Sequence, residues 1–311
     1  MSEPSTPSRV TPRVAVLVRT HVANEKLFHL LGVLSQSRRY DLFVVADETN
    51  GTLDVGGYQK LSHNIASCAA FGLPADHERI LWQCGDYPLY FAAAEIPDYD
   101  FYLMIEFDVD LVVQSPAFIE NLIARFGHHD LISEHFRRPE PDWPWLRAAR
   151  AVYESVYTTG LFAVLALSRR AVEFLRQARR AEAARGSREK QIIHCEAHCA
   201  SALATGGFSC VSINQLIPGA TDRRCFHDPD FDLETSFYLL GQYQVAVANV
   251  AVVHPVYDLA EYLKKGWQKS LYTGDLRAFV AELQQIGAAD PGREHLLLDY
   301  RKAAAAALAG P

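Results

Sequence analysis

Short apolar runs alternate along the chain with segments of helical period, and several of the runs end in polar side chains. The first run, Val14–Val18, is followed by Arg19. A helical pattern comes next, and a second run, Leu42–Ala46, ends at Asp47. A strand, a helix and a second strand in this order form a βαβ unit, whose parallel strands have their carboxyl ends at one edge of the sheet. The pattern predicts an α/β fold with a mostly parallel central sheet flanked by helices.

The same alternation continues along the chain. The further predicted elements are helices over residues 57–70, 89–95, 169–184 and 189–204, strands over 79–84, 101–113, 161–167, 208–213 and 245–253, and amphipathic helix from residue 259 onward. Residues 127–159 have no regular period and are predicted to form a long loop region. We expect residues 1–12 to be a disordered leader, 13–258 to form one domain, and 259–311 to be a helical extension packed on it.

Composition limits the class of protein. The 311 residues are 49% hydrophobic, enough to bury one large core, and the net charge of −7 without a Lys/Arg block argues against binding to nucleic acid. The six cysteines are scattered, which is typical of a reducing compartment. No stretch is long and apolar enough to form a transmembrane segment, so the prediction is a cytoplasmic protein, with membrane-peripheral attachment left open.

The apolar run FYLMIEFDVDLVV is interrupted by acids at every second position, Glu106, Asp108 and Asp110. If the whole run is a strand, the three carboxylates point to the same side. Such a cluster needs a cation, and oxygen ligands at this density suit Mg²⁺ or Mn²⁺. The alternative is a strand that runs out into solvent. Neither a dinucleotide-binding glycine motif nor a P-loop occurs in the chain.

Several segments occur in an order that resembles GT-A-type glycosyltransferases. They are WQCGDYPLYFAAAEIPDYDFYLMIEFDVD, TGLFAVLALSRRAVEFL, a Glu on the following helix, and a late His-Pro-Val. In that family a DXD-like motif closes an apolar strand and holds a divalent cation against the diphosphate of a nucleotide sugar. The resemblance covers roughly residues 12–258 and implies a single GT-A-like (Rossmann-like) catalytic domain. One departure is that Glu106 stands where the family has Asp, so the metal pair is either Glu106 with Asp108 or Asp108 with Asp110.

The resemblance also implies a reaction and its cofactors. The expected enzyme is a metal-dependent glycosyltransferase of hexosyltransferase type, which uses Mn²⁺ or Mg²⁺ and a nucleotide-diphosphate sugar, with a UDP-sugar as the expected donor. The acceptor is a glycan, a lipid-linked molecule or a small molecule. Trp143 and Trp145 in the long loop region either bind this acceptor or pack on the surface. Two alternatives use the same fold: a metal-dependent phosphoesterase or nucleotidyltransferase, and a catalytically inactive nucleotide-binding module.

Side chains at strand ends are the expected ligands of cation and donor. Asp108, Asp110 and His254 are predicted to bind the metal, although a His before Pro at a strand end also suits a structural hydrogen bond. The predicted donor-binding residues are Arg19, Asp47, Asp86 and Glu106. The residues Asp47 and Asp86 would accept hydrogen bonds from the base or ribose, as comparable acids do in the family. Either could instead be an ordinary turn or helix-cap residue.

Glu196 is the predicted catalytic residue. Its helix places Glu196 on a stripe with Ile192, Cys199 and Leu203, so the carboxylate is expected to face inward, where burial raises the pKa of such a group. In an inverting transferase it would be the general base that deprotonates the acceptor hydroxyl. It could instead pair with an arginine and only stabilise the fold. A rival interpretation of the segment HCEAHC is a zinc site, since its His and Cys pairs are each spaced i, i+4.

Overall fold

The computed structural model describes residues 12–184, 192–227, 237–242 and 249–309. A seven-stranded sheet lies at its centre, with strands β1 (Val14–Thr20), β2 (Asp41–Asp47), β3 (Gln59–His63), β4 (Phe101–Glu106), β6 (Leu131–Ser133), β7 (Val164–Ser168) and β8 (Cys210–Ser212). Their order in the sheet is β3-β2-β1-β4-β7-β6-β8. Only the pairings of β7 with β4 and with β6 are antiparallel within this sheet. The predicted α/β class with a mostly parallel central sheet is confirmed.

Helices cover both faces of the sheet. They are α1 (Glu25–Leu34), α2 (Ile65–Ala70), α3 (Ile80–Gln83), α4 (Tyr87–Glu95), α5 (Ala117–Ile123), α6 (Leu146–Arg150), α7 (Arg169–Ala184), α8 (Cys195–Thr205) and α9 (Ile213–Leu216). Successive side chains of β1 enter two different apolar cores, because neighbouring residues of a strand point to opposite faces. One core includes α4, α7 and α8, and the other includes α1 and α5.

The helix α7 begins where the sequence predicts. Ser168 precedes its first residue and accepts a hydrogen bond from the backbone N–H of Ala171 at 3.3 Å. This bond satisfies one of the amide groups that have no partner within the helix. The helix is predicted to end at residue 184, which is also the last residue of α7 that the structure describes.

Four predicted elements differ in the structure. Residues 57–70 contain an edge strand, β3, before a short helix, and residues 79–84 form α3 instead of a strand. The predicted loop region 127–159 contains β6, an interior strand of the sheet, and α6. These segments are too short for a helical or alternating period to identify them, and tertiary contacts decide their conformation. The run from Phe101 is a strand only as far as Glu106.

Four short strands form two small sheets beside the main one. They are β5 (Asp110–Leu111), β9 (Tyr238–Leu239), β10 (Val252–Val253) and β11 (Val256–Tyr257). The strand β10 pairs antiparallel with β5, and β11 pairs parallel with β9. Of the predicted strand 245–253, residues 245–248 lie outside the described residues, as do residues 189–191 of the predicted helix 189–204 and residues 1–11 of the predicted leader.

The chain after residue 258 is helical, in agreement with its amphipathic pattern. The elements are α10 (Leu259–Thr273), α11 (Leu276–Ala289), a 3₁₀ turn (Pro291–Arg293) and α12 (Glu294–Ala309). Apolar side chains of the three helices form a third core, which Leu239 and Tyr257 also enter. None of the helices within the described ranges combines the length and the hydropathy that crossing a bilayer requires.

Candidate active site

Two carboxylates and one imidazole meet at the carboxyl edge of the main sheet. Glu106 is the last residue of β4, Asp108 lies in the turn that follows, and His254 lies between β10 and β11. The His254 Nε2 atom is 3.4 Å from Asp108 Oδ1 and 3.7 Å from Glu106 Oε2. One ligand atom of each side chain lies within 4.8 Å of the other two. In the part of the chain that the structure describes, no other three such side chains come this close together.

Backbone hydrogen bonds hold this group in place. The chain turns directly after β4, where the N–H of Val109 donates to the carbonyl of Glu106 at 3.1 Å. The N–H of Val256 then donates to the carbonyl of Asp108 at 2.7 Å, and β10 pairs with β5 next to the turn. The segment that carries His254 is therefore fixed against the turn that carries Asp108, although the two are far apart in the sequence.

His254 is buried and oriented by a backbone carbonyl. Its Nδ1 atom donates to the carbonyl of His227 at 2.7 Å, which leaves Nε2 facing the carboxylates. Burial by itself lowers the pKa of His254, but Asp108 and Glu106 together with the hydrogen bond to His227 raise it to about 9. Burial would likewise raise the pKa of Asp108, but His254 lowers it overall. The imidazolium of His254 and the guanidinium of Arg19, which pairs with Glu106, together offset the charge of these acids.

The three side chains fit a divalent cation. They offer carboxylate oxygens and one imidazole nitrogen, a donor set that Mn²⁺ accepts readily and Mg²⁺ accepts mainly through oxygen. The hydrogen bond from His254 to His227 is the kind of contact that orients a metal-binding imidazole through its second nitrogen. The geometry thus brings together Glu106, Asp108 and His254 of the predicted cation- and donor-binding residues.

Asp110, the third acid of the run, lies apart from this group. Because the strand ends at Glu106 and the chain turns, the expectation that all three acids lie on one face of a single strand is wrong. Asp110 is fully buried in β5, with its Oδ1 atom 3.5 Å from Lys26 Nζ and its Oδ2 atom accepting a hydrogen bond from Gln114 at 3.0 Å. Burial lowers the pKa of Lys26, and Asp110 opposes this effect. The carboxylate stabilises a buried ammonium group.

Asp86 also lies away from Glu106, Asp108 and His254. It does not line the cleft that contains these three residues. It precedes the first residue of α4, as the sequence predicts, but its side chain does not cap that helix. Its two oxygens accept hydrogen bonds from the guanidinium of Arg179 at 2.8 and 2.9 Å, and both side chains are completely buried. Burial would raise the pKa of Asp86, but Arg179 lowers it overall.

Arg19 and Asp47 do lie at the edge of the sheet where the sequence places them. Arg19 donates to Glu106 Oε1 at 2.7 Å and to the carbonyl of Leu81 at 2.8 Å, so it ties the candidate metal ligand to α3. Asp47 ends β2 opposite His63 in β3 and accepts a hydrogen bond from the N–H of Thr49 at 2.9 Å. Both side chains line the same cleft as Glu106.

Glu196 lies in the first turn of α8 and lines this cleft. Its side chain is 14% exposed, and its Oε2 atom is 4.0 Å from His194 Nδ1. The helix begins at Cys195, so Ile192 of the predicted stripe precedes it, while Cys199 and Leu203 are buried as expected. A carboxylate in this position can reach a substrate in the cleft. The His and Cys residues of HCEAHC do not form a group of three metal-ligating side chains in the described structure.

The cleft has a volume of about 1120 Å³ and is lined by six of the eight predicted site residues, all except Asp86 and Asp110. It extends from the carboxyl edge of β1, β2 and β4 to the start of α8 and the long loop region. Side chains of special interest along it are Arg19, Asp47, His63, Glu106, Asp108, His254, Glu196, Trp82, Trp143, Trp145 and His194. Ligand sites commonly occupy 300 to about 1,000 Å³, so the space is sufficient for two substrates side by side.

Two contributions to the site, and one buried cation outside it, escaped the sequence analysis. The carbonyl of His227 orients His254, and a backbone group leaves no signal in a sequence. Trp82 lies on α3, which was predicted as a strand, so its place in the cleft was not expected. Lys26 could have been found, because it shares the buried face of α1 with Leu27 and Leu30, where a lysine requires a charged partner.

Two buried histidines beside the site predict sensitivity to acid. Burial, with Arg179 as a second cause, lowers the pKa of both His194 and His198 to about 3. The unfolded chain binds these protons below the ordinary value of 6.5, so stability is lost as the pH falls from 6.5 toward 3. Each group contributes about 1.4 kcal/mol per pH unit well below pH 6.5. Urea unfolding at pH 7 and pH 5 should show a weaker pH dependence for His198→Gln than for the unchanged chain. The exposed His77→Gln is the control, and equal slopes in all three proteins would contradict the prediction.

Comparison with known proteins gives matches to solved structures only. Neither a scan of protein-family models nor a comparison with curated proteins finds a match. Glucosyl-3-phosphoglycerate synthase from Mycobacterium tuberculosis, solved with Mn²⁺, UDP and phosphoglyceric acid, is 15% identical with a TM-score of 0.33; the match covers 51% of this chain and 57% of that one. A mannosyltransferase from Pyrobaculum calidifontis, solved with GDP-Man and Mn²⁺, is 13% identical with a TM-score of 0.38; here the shares are 66% and 55%.

The matches therefore span little more than half the length of either solved chain. Both proteins are glycosyltransferases, the class of enzyme that the sequence resembles.

Proposed function

We propose that the protein is a metal-dependent glycosyltransferase that transfers a hexosyl group from a nucleoside-diphosphate sugar to an acceptor hydroxyl. The observation that carries the proposal is the group of Glu106, Asp108 and His254 at the carboxyl edge of a mostly parallel sheet, where open α/β folds bind their ligands. These residues would hold Mn²⁺ or Mg²⁺, and a UDP-sugar is the donor that the resemblance favours. A cation bound there supplies positive charge opposite the diphosphate, where negative charge develops.

The side chains of the cleft have distinct roles in this reaction. Asp47, at the end of β2, accepts hydrogen bonds from the ribose or base of the donor. Arg19 holds the Oε1 atom of Glu106, which leaves Oε2 directed toward His254 and the cation position. The residues Asp86 and Asp110 are given no role in the reaction, because each carboxylate neutralises a buried cation elsewhere.

Glu196 is the proposed general base. As the oxygen of the acceptor hydroxyl forms its bond to the anomeric carbon, Glu196 accepts the hydroxyl proton. The bond between that carbon and the diphosphate oxygen breaks, and the nucleoside diphosphate leaves with the electron pair. Partial burial of the Glu196 side chain, which is 14% exposed, keeps the carboxylate poorly solvated and close to the substrate.

A thermal-shift experiment followed by product analysis tests the proposal. A ligand that binds only the folded protein adds about 2.7 kcal/mol of stability at one hundred times its Kd, so UDP or GDP should raise the Tm with Mn²⁺ present and much less after treatment with EDTA. Incubation with nucleotide sugars should then release nucleoside diphosphate. Release of nucleoside monophosphate would favour a phosphoesterase or nucleotidyltransferase. Metal-independent nucleotide binding without cleavage would favour a catalytically inactive module.

Substitution of the proposed base should separate catalysis from binding. We expect Glu196→Gln to lower acceptor-dependent release of nucleoside diphosphate by about 10²-fold, because the amide cannot accept the proton. The rise in Tm with nucleotide and Mn²⁺ should be unchanged, since Glu196 does not belong to the candidate cation-binding group of Glu106, Asp108 and His254, called the cation group below. Glu95→Gln, an exposed carboxylate at the end of α4, is the matched control. A Glu196→Gln protein with full turnover would remove this residue from the mechanism.

A further inference from the structure

Three of the four tryptophans of the chain line one end of the cleft. Trp145 immediately precedes α6 and stacks on the imidazole of His194, with ring centres 4.6 Å apart and planes inclined by 7°. Trp82 of α3 contacts both rings edge-on, with centre distances of 6.1 Å to Trp145 and 5.3 Å to His194. The fourth tryptophan, Trp267, packs against Phe279 among the C-terminal helices. We call Trp82, Trp143, Trp145 and His194 the aromatic wall.

His194 contributes an unsatisfied polar atom to this wall. The residue is 7% exposed, and within the described structure its Nε2 atom is buried without a hydrogen-bond partner. A buried polar atom of this kind costs free energy until a ligand or an ordered water satisfies it. The other ring nitrogen, Nδ1, is the one that lies near Glu196. The aromatic wall therefore adjoins the proposed base and offers a hydrogen-bonding position beside it.

Hydrogen bonds of Arg19 connect the aromatic wall to the cation group. One guanidinium nitrogen donates to Glu106, and the other donates to the carbonyl of Leu81, the residue directly before Trp82. A molecule lying against Trp82 is thus placed next to the side chain that positions a candidate metal ligand. This continuity distinguishes the aromatic wall from tryptophans that merely pack on a surface.

The charged residues of the cleft that lie within six positions of a wall tryptophan in the sequence are mixed in sign. They carry three carboxylates and two guanidinium groups, those of Glu78, Glu140, Asp142, Arg79 and Arg137. The guanidinium of Arg79 lies over the ring of Trp82 at 4.8 Å, and Arg137 pairs with Glu140. A phosphorylated or acidic ligand would need unopposed positive charge, and a lipid chain would need an apolar rim. A neutral molecule with hydroxyl groups suits this composition better.

We infer that the aromatic wall is the acceptor subsite and that it binds a neutral sugar ring. The flat face of a pyranose consists of C–H groups, which pack against an indole ring, while its hydroxyl groups project at the edge toward His194 and Glu196. The identification of the bound sugar as the acceptor rests on the proposed function. The sugar-binding surface itself can be tested without any transfer reaction.

Tryptophan fluorescence of the 311-residue chain provides that test. In a Trp267→Phe background, all tryptophan emission comes from the aromatic wall, so titration with methyl glycosides of glucose, mannose, galactose and N-acetylglucosamine reports binding there. We expect at least one glycoside to give a saturable change, and glycerol, phenol and glucose 6-phosphate to give none. Trp82→Leu should weaken glycoside binding about tenfold, equivalent to about 1.4 kcal/mol. Tyr272→Ala, a 73% exposed aromatic residue on α10, should not.

His194→Phe keeps the ring that stacks on Trp145 but removes the unsatisfied nitrogen. It should weaken glycoside binding about tenfold while the Tm stays the same or rises, a combination that a purely structural histidine would not produce. If no methyl glycoside changes the fluorescence, or if phenol or glucose 6-phosphate binds instead, the inference is overturned. Failure of the proposed function is seen separately, as the absence of a Tm rise with nucleotide and Mn²⁺, and the glycoside titration gives its result in either case.

Discussion

Asp108→Asn should abolish the rise in Tm that a nucleoside diphosphate produces with Mn²⁺ and should lower the release of nucleoside diphosphate by about 10³-fold. The carboxylate of Asp108 lies opposite His254, and both side chains are poorly accessible to solvent. The amide keeps the shape and one oxygen but removes the charge that would attract a dication. Loss of a cation ligand in a poorly solvated site has a large effect because little water is available to replace it.

The Asp108→Asn protein should still fold. The backbone carbonyl of Asp108, which accepts from the N–H of Val256, holds the segment of His254 and is unaffected by the substitution. The far-UV circular dichroism should therefore remain near that of the unchanged chain, while loss of the carboxylate opposite His254 lowers the Tm without ligands only in part. Asp98→Asn, an exposed acid of the same type, is the control for the loss of one charge. Normal turnover by a folded Asp108→Asn protein would refute the assignment of this residue as a metal ligand.

The second large effect is expected at Arg179, whose side chain is completely buried. It donates to both oxygens of Asp86, to Glu182 Oε2 at 3.0 Å and to the carbonyl of Ile193 at 2.8 Å. We expect Arg179→Met to lower the free energy of unfolding by about 3–5 kcal/mol, because the carboxylate of Asp86 stays buried without its cation. Urea unfolding at pH 7.5 measures this change.

A double variant and a pH series identify the cause of that loss. Asp86→Leu combined with Arg179→Met should be more stable than Arg179→Met alone, since no unpaired buried charge remains. In Arg179→Met, burial raises the pKa of Asp86 above its unfolded value, so the variant loses stability as the pH rises from the unfolded pKa to the raised one. Its deficit should therefore shrink toward pH 5. A deficit that stays constant with pH, or a double variant that is less stable, would show that lost packing and not charge is responsible.

Asp86 and Asp110 illustrate a limit of sequence interpretation. Each acid was assigned to ligand binding from its position at or near the end of an apolar run. Their partners, Arg179 and Lys26, are 93 and 84 positions away in the sequence, and no local pattern reports such a pairing. A buried carboxylate requires either a cation of the protein or a ligand, and the sequence does not distinguish between the two.

Glu106, Asp108 and His254 illustrate the opposite case. Each lies at or just after the end of an apolar strand. The βαβ arrangement places Glu106 and Asp108 at the carboxyl edge of the main sheet, whereas His254 reaches them from β10, which pairs antiparallel with β5 in a separate small sheet. The position at a strand end therefore selects the three residues, and the tertiary structure brings His254 to the other two. The sequence does not distinguish these residues from Asp110. Asp110 lies apart from them because β4 ends at Glu106 and the chain turns directly after it.

The order of residues alone determined the α/β class, the strands β1, β2 and β4, the helix α7 and the edge at which the candidate ligands gather. These features follow from the period and the length of the apolar runs, which are local properties of the chain. Contacts between distant segments decided the rest: the short elements β3, α3 and β6, the pairing of Asp86 and Asp110 with buried cations, and the aromatic wall beside Glu196. A short segment or a single charge takes its conformation from its neighbours in space, and those neighbours exist only once the chain has folded.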